Sequence, residues 1–378
     1  CDYLVIGAGT RGLCFLDALL SENKKLTAVL VDERDQPGGL WNDAHHFARV
    51  NSASIWYGVK SRRLETVPWK KGRPLERASK TQVLAYFRTV VEEYVAAGRL
   101  RYFPMCSASA DGKELLSRID PDGRWKVNVR CKVVDAALSQ LTMPGTTKPL
   151  FKVERGVFLS APKDLTSVRV AHPKYVIIGA GRTSVETVLW LLERGVAPDR
   201  MIWVRPRDHW YIPRESLRPE HLVDFDLVHQ TCTLQDNVEH FVDAVHNMER
   251  EQILCRIDTT CEPEAFHGSV IGQDELSMLR RVTNVIRMGH VQEVCVAHLK
   301  LEHGIVPTGK GTLHINCADN SWHTPTDRAR TALPIFTKDR LTLHMIHEVF
   351  TGIMEYSPCV SAGLVGALEA RLPDDIAG

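Results

Sequence analysis

Apolar and turn-forming positions repeat one pattern twice along this chain. Tyr3 to Ile6 and Tyr175 to Ile178 are short uninterrupted apolar runs that stop at glycines. Each is followed by apolar residues at helical spacing, Leu13 to Leu20 in one copy and Val185 to Arg194 in the other. A second apolar run then closes each copy, Leu26 to Val31 or Met201 to Val204. Strands without alternation are buried on both faces, the condition of a parallel sheet covered by helices. The predicted class is therefore α/β, with two strand–turn–helix–strand units.

Between and beyond the two copies the period changes. Residues 79 to 97 place Val83, Leu84, Phe87, Val90, Val91 and Tyr94 on one helical face, with Ser79 as the cap and Gly98 as the stop. Leu100 to Phe103, Leu115 to Ile119 and Trp125 to Val134 read as short strands, the last two joined at Pro121-Asp122-Gly123, and predict a β-meander after the first unit. From Glu215 to Arg287 the pattern is helical and polar, with Val238, Phe241, Val242 and Val245 spaced for one helix. Val294 to Leu301, Gly311 to Cys317 and Leu341 to Leu372 read as a return to the first domain. The expected organisation is a first domain at 1–165, a second at 166–300 with a helical insertion, and a return segment at 301–378.

The turns carry the candidate chemistry. Gly7-Ala8-Gly9-Thr10-Arg11-Gly12 and Gly179-Ala180-Gly181-Arg182-Thr183-Ser184 each lie between a strand and a helix. Glycines there let the main chain approach a pyrophosphate, and the free amides and dipole of the helix start attract the anion. Two such loops predict a protein that holds two dinucleotides and passes electrons between them. Asp32-Glu33 ends the second strand of the first copy, where a carboxylate accepts hydrogen bonds from ribose hydroxyls. Arg205-Pro206-Arg207 stands there in the second copy, and a guanidinium suits a 2′-phosphate that an acid would repel. The second loop therefore reads as an NADPH site, with Ser184 replacing its third glycine.

Composition narrows the class. Charged residues are 25%, hydrophobic ones 44%, and the net charge is +1, which gives no electrostatic case for nucleic acid or an anionic membrane. No apolar run approaches a bilayer span and no targeting segment is visible, with a short one before Cys1 left open; cysteines that read as reduced thiols make cytoplasmic the expected setting. The ten cysteines include no Cys-x-x-Cys and no zinc spacing. His344 and His347 share a helical face, but no carboxylate or cysteine completes a ligand set, so no metal is expected.

The first glycine loop, Glu33, Gly38-Gly39-Leu40-Trp41 and the second loop together resemble the flavin-containing and Baeyer–Villiger monooxygenase superfamily. The run Val50 to Leu64, with Trp56-Tyr57-Gly58-Val59-x-Ser61, and Ile202 to Asp208 with Trp210 resemble a branch described only as NAD(P)- and FAD-binding oxidoreductases. The resemblance covers nearly the whole chain. It implies an FAD-binding Rossmann-like domain with a β-meander and an inserted NADPH-binding Rossmann-like domain. It also implies FAD at the first loop, with the Glu33-Arg34 pair at its ribose, Gly39 close to the flavin, Leu40 beside it and Trp41 covering it.

The expected activity is NADPH-dependent oxidation of a small organic molecule by molecular oxygen, through reduced flavin and a C4a-hydroperoxide. Asn51 is the expected hydrogen-bond donor near the flavin, Trp56 and Tyr57 the expected pocket wall, and Asp319 a contact to the ribityl or pyrophosphate. Departures from the superfamily keep two alternatives open. Val157 to Asp164 reads Val-Phe-Leu-Ser-Ala-Pro-Lys-Asp, Asn316-Cys317-Ala318-Asp319 replaces an Ala-Thr-Gly segment, and Asn51-Ser52-Ala53-Ser54 replaces the His-Gln-Pro-Ser of the closer branch. An NADPH-dependent flavin reductase without oxygen transfer, and a catalytically silent nucleotide-binding sensor or structural partner, both remain compatible with these residues. The substrate and the oligomeric state are not encoded in any motif.

Overall fold

The computed structural model describes residues 1–137, 143–221, 228, 232, 241–318, 333–343 and 358–371. The chain divides into two compact units. One contains 1–44, 53–142 and 320–378, the other 45–52 and 143–319.

The first unit is built on the first apolar repeat. Strands β1 (Tyr3–Ile6) and β2 (Ala28–Val31) pair in parallel, with helix α1 (Thr10–Glu22) crossing between them. Helix α2 (Lys80–Ala96) follows, started by a reciprocal cap in which Ser79 and Gln82 satisfy each other's backbone amides. It buries Val83, Tyr86, Phe87, Val90 and Val91, and Gly98, at φ 69°, turns the chain away. Strand β3 (Leu100–Phe103) then joins β2 in parallel. This differs from the expected meander, which consists instead of the antiparallel strands β4 (Cys106–Ala108), β5 (Glu114–Ser117) and β6 (Arg124–Lys126).

The expected strand Trp125 to Val134 is two strands. Trp125 stays in the meander, while Val133 and Val134 lie in β7 (Lys132–Asp135), which returns to pair with β1. Apolar residues alone do not say which sheet they enter, so a single run concealed the break. The strand Arg340–Thr342 completes the five-stranded sheet beside β7. The helix Pro358–Arg371 packs along α1, and a Cβ at Gly366 would stand 2.4 Å from Phe15 O. Its small residue at Gly366 therefore serves helix contact.

The second unit repeats the design and enlarges it. Strands β8 (Lys152–Val153) and β9 (Phe158–Ser160) precede β10 (Tyr175–Ile178), helix α3 (Arg182–Glu193) and β11 (Met201–Val204). Strand β12 (His209–Pro213) comes next, followed by helix α4 (Phe241–Arg250), β13 (Ala265–Ile271), helix α5 (Gln273–Leu279) and β14 (Val285–Ile286). Val238 lies outside the described residues, while Val242 and Val245 fall in α4. The region expected to be helical throughout contains the seven-residue β13, paired in parallel with β12.

Strands β15 (Val291–Val294), β16 (His298–Leu301) and β17 (Gly304–Pro307) form an antiparallel set, with β8 added in parallel to β15. Strand β18 (Leu313–Asn316) pairs with β10 and β9, giving a parallel sheet ordered β14-β11-β10-β18-β9. Val294 to Leu301 and Gly311 to Cys317 therefore belong to the second unit and do not return to the first. Leu313 and Ile315 pack with Ile177, Val188, Leu191 and Trp203 in its core, a partnership that no local pattern encodes.

Candidate functional site

The first loop is shaped by close backbone approaches. Gly7 has φ 102°, and a Cβ on Gly12 would stand 1.9 Å from Gly7 O, so α1 can seat on the turn only without a side chain there. Gly39, at φ 54°, brings its Cα so near the loop that its own Cβ would lie 2.7 Å from Gly9 Cα. Gly38 N donates to Ala8 O at 2.8 Å and ties the Gly38-Gly39 turn to the loop. The start of α1, at Thr10, Arg11 and Gly12, thus presents bare main chain and helix-terminal amides. Burial lowers the pKa of Arg11.

The two acids after β2 have different tasks. Asp32 is buried, and its carboxylate accepts from Ala8 N at 2.6 Å and Arg34 N at 2.8 Å. Burial raises its pKa against the lowering effect of those two bonds. Glu33 is exposed, pairs with Arg118 at 2.9 Å, and is the accessible carboxylate. Near the same loop Tyr57 OH lies 2.5 Å from Thr10 Oγ1 and accepts from Trp41 Nε1 at 2.7 Å, with the Trp41 and Tyr57 rings edge to face. Burial drives the Tyr57 phenol far above its ordinary pKa, so it stays protonated. Leu40 and Trp41 lie in the short turn Gly39–Asn42, and Trp56 ends the turn Ser54–Trp56.

The second loop follows β10. Gly179 has φ 130°, and a Cβ there would meet the backbone of Cys317 at 3.1 Å, whereas a Cβ at Gly181 would enter open space. The loop carbonyls are held from below: Trp203 Nε1 donates to Gly179 O at 2.9 Å, and His209 Nδ1 and Tyr211 OH lie 3.0 and 3.3 Å from Ala180 O. Ser184 is fully buried and donates to Gly181 O at 2.7 Å, while Thr183 O accepts from Thr187. The hydroxyl that replaces a third glycine is therefore satisfied inside the loop itself.

Two arginines expected to meet a nucleotide also make contacts within the protein. Arg182 bonds Glu186 at 3.1 Å, Val270 O at 3.0 Å and Glu275 at 3.2 Å. Arg205 is 1% exposed, lies over the Trp203 ring, and places Nη2 2.6 Å from Asp208 Oδ1. Its nitrogens form no aligned hydrogen bond, so donor capacity is left over. Asp208 is shared with Arg287. Arg207 is exposed and has no ion-pair partner among the described residues, which makes it the accessible guanidinium after β11. The sequence treated Arg205 and Arg207 alike because a strand end does not reveal which side chain turns inward.

Asn51 falls in the second unit, and Trp56 and Tyr57 in the first. Asn51 Oδ1 is buried without a hydrogen-bond partner, and its carbonyl accepts from Arg214 Nε at 3.2 Å. Arg214, Glu186, Glu275 and His45 were not singled out from sequence, since isolated polar residues in a polar stretch carry no periodic signal. Asp319, His344 and His347 lie outside the described residues.

The chain is 33% identical over 390 aligned residues to Uncharacterized protein Rv2000 of Mycobacterium tuberculosis and to Uncharacterized protein Mb2023 of Mycobacterium bovis, covering 99% of this chain and 68% of each relative. The chain belongs to their family. No family model matches it.

Among solved structures, OTEMO in complex with FAD and NADP aligns with a TM-score of 0.58 at 14% identity, over 99% of this chain and 84% of that one. The open form of cyclohexanone monooxygenase aligns at 0.55 and 14% identity, over 97% and 88%. A mutant flavin monooxygenase from Stenotrophomonas maltophilia aligns at 0.53 and 13%, over 100% and 98%. The chain therefore shares the fold of these flavin monooxygenases. Among the described residues no helix is long and apolar enough to cross a membrane.

Proposed function

We infer that this chain is an FAD- and NADPH-dependent monooxygenase that oxidises a small organic molecule with molecular oxygen. The observation that carries the reading is a pair of glycine loops, each between a parallel strand and a helix and followed by residues of opposite charge, in a flavin-monooxygenase fold. An exposed carboxylate, Glu33, stands beyond the first, and an exposed guanidinium, Arg207, beyond the second.

Gly7, Gly9, Thr10, Arg11 and Gly12 would hold the FAD pyrophosphate and Glu33 its ribose, with Gly39, Leu40 and Trp41 toward the ring. Gly179, Gly181, Thr183 and Ser184 would hold the NADPH pyrophosphate. The residues present fit both groups: bare backbone at Gly9 and Gly39 and open space at Gly181 are what polyanionic ligands require. When bound, FAD accepts hydride from NADPH and activates oxygen. The remaining work is the protein's. Helix-terminal amides of α1 and α3 neutralise phosphate charge. Arg207 selects the 2′-phosphate, and Arg205 stiffens the end of β11 beneath it. Asn51 is the candidate hydrogen-bonding group of the reaction, and Trp56 and Tyr57 are candidates for excluding water beside the first loop.

The test is direct. Purified protein should be yellow, NADPH but not NADH should bleach it anaerobically, and readmitted oxygen should appear in an oxygenated product when a substrate panel is supplied. Quantitative release of hydrogen peroxide with every compound would make the chain a reductase. A colourless protein that takes up no FAD would overturn both readings.

A further inference from the structure

The residues around α3 form a closed ring of buried ionic contacts. His45 Nε2 lies 2.8 Å from Glu186 Oε2, and Glu186 Oε1 accepts from Arg182. Arg182 reaches Glu275 Oε1 at 3.2 Å, and Glu275 Oε2 accepts from Arg214 Nη2 at 2.6 Å. Arg214 Nε then donates to the carbonyl of Asn51. The segment 45–51 closes the circuit, clamped at both ends by one network. A third anchor lies between them, where the Phe47 ring stacks on Trp190 of α3 at 5.0 Å.

Three features separate this ring from ordinary packing. Arg214, Glu186 and Glu275 are buried together with the partly buried Arg182, although apolar residues of similar volume would usually stabilise the same position as well. The ring is anchored at Arg182, the first residue of the helix that opens on the second glycine loop. It ends at a residue whose side-chain oxygen is buried and has no hydrogen-bond partner in the structure. Space for Arg214 is also provided, since a Cβ at Gly272 would stand 2.4 Å from its Nη1.

We propose that Arg214 is a positioning residue. Through Glu275 and Arg182 it fixes the backbone at Asn51 to the start of α3, so that Asn51 and a dinucleotide at the second loop share one frame. The catalytic part rests on the reading of Asn51 above, whereas the clamp is a property of the chain itself and is measured separately.

The experiment uses FAD-loaded protein and the variants Arg214→Gln, Arg214→Lys, Gly272→Ala, Asn51→Ala and Arg214→Gln/Asn51→Ala. Amide hydrogen exchange in 46–52 should quicken at least tenfold in Arg214→Gln and less in Arg214→Lys, with the rest of the protein unchanged. The limiting rate of flavin reduction by NADPH should fall about tenfold in Arg214→Gln, with its half-saturating NADPH concentration altered less than about threefold, and Arg214→Lys should recover part of the rate. Gly272→Ala, which crowds Arg214 without removing its charge, should move both readouts in the same direction. The double variant should be no slower than Asn51→Ala alone. Unchanged exchange in 46–52 overturns the clamp. Multiplicative losses in the double variant overturn the positioning of Asn51 by Arg214. If Asn51→Ala reduces flavin at the full rate, the catalytic reading of Asn51 fails, and the exchange result alone decides the clamp.

Discussion

Side chains adjacent in sequence take opposite roles here according to which way they turn. Arg205 and Arg207 are two positions apart, yet one is sealed against Asp208 and Trp203 and the other is free in solvent. Arg207→Ala should therefore lower the preference for NADPH over NADH by about ten- to a hundredfold, the worth of one charge-assisted hydrogen bond to phosphate. Its thermal stability should be unchanged. Arg205→Ala should instead cost about 3 kcal/mol in urea unfolding, because it leaves Asp208 short of a buried partner. Equal losses of cofactor preference in the two variants, with no loss of stability, would refute the division. Asp32 and Glu33 divide the same way, Asp32 holding the loop and Glu33 remaining accessible.

Elements depend on a few approaches and caps. Helix α1 sits against β1 only because Gly12 lacks a side chain, so Gly12→Ala should yield a folded but largely colourless protein. Retention of a full flavin complement would show that the helix start can shift without harm. The turn after Asp258 provides a pH-dependent element. Thr260 Oγ1 donates to Asp258 at 2.7 Å and Thr260 N at 3.0 Å, and these bonds hold the Asp258 pKa down at about 2. The folded chain binds this proton more weakly than the unfolded chain. The contribution is thus complete above the ordinary carboxyl pKa of about 4, and is lost as pH falls through about 2. Urea midpoints measured from pH 5 to pH 2 should fall more steeply in the wild type than in Asp258→Asn. Parallel curves would remove Asp258 from the account.

At the scale of the whole molecule, each unit carries its own parallel sheet and its own loop, so equilibrium dialysis should find two nucleotides per chain, one FAD and one NADP. Gly12→Ala should lose the first while keeping the second, and loss of both would contradict separate sites. Much of this plan is legible in sequence. The two glycine loops, their strands and helices, the Ser79 cap and the change of acid for arginine follow from local pattern, because loop geometry and helix starts are set by neighbours within a few residues. The sheet to which a short apolar strand belongs does not follow. Leu313 to Asn316 joined β10, and Leu100 to Phe103 joined β2, through contacts 138 and 72 residues away. Nor does the ring from His45 to Asn51, whose members are scattered over more than two hundred positions. The sequence alone determined the two glycine loops and the acid or arginine that follows each, because these are set by neighbours close along the chain. Only the tertiary structure decided which arginine is free and to which unit Asn51 belongs, since burial and long-range pairing depend on the packed chain.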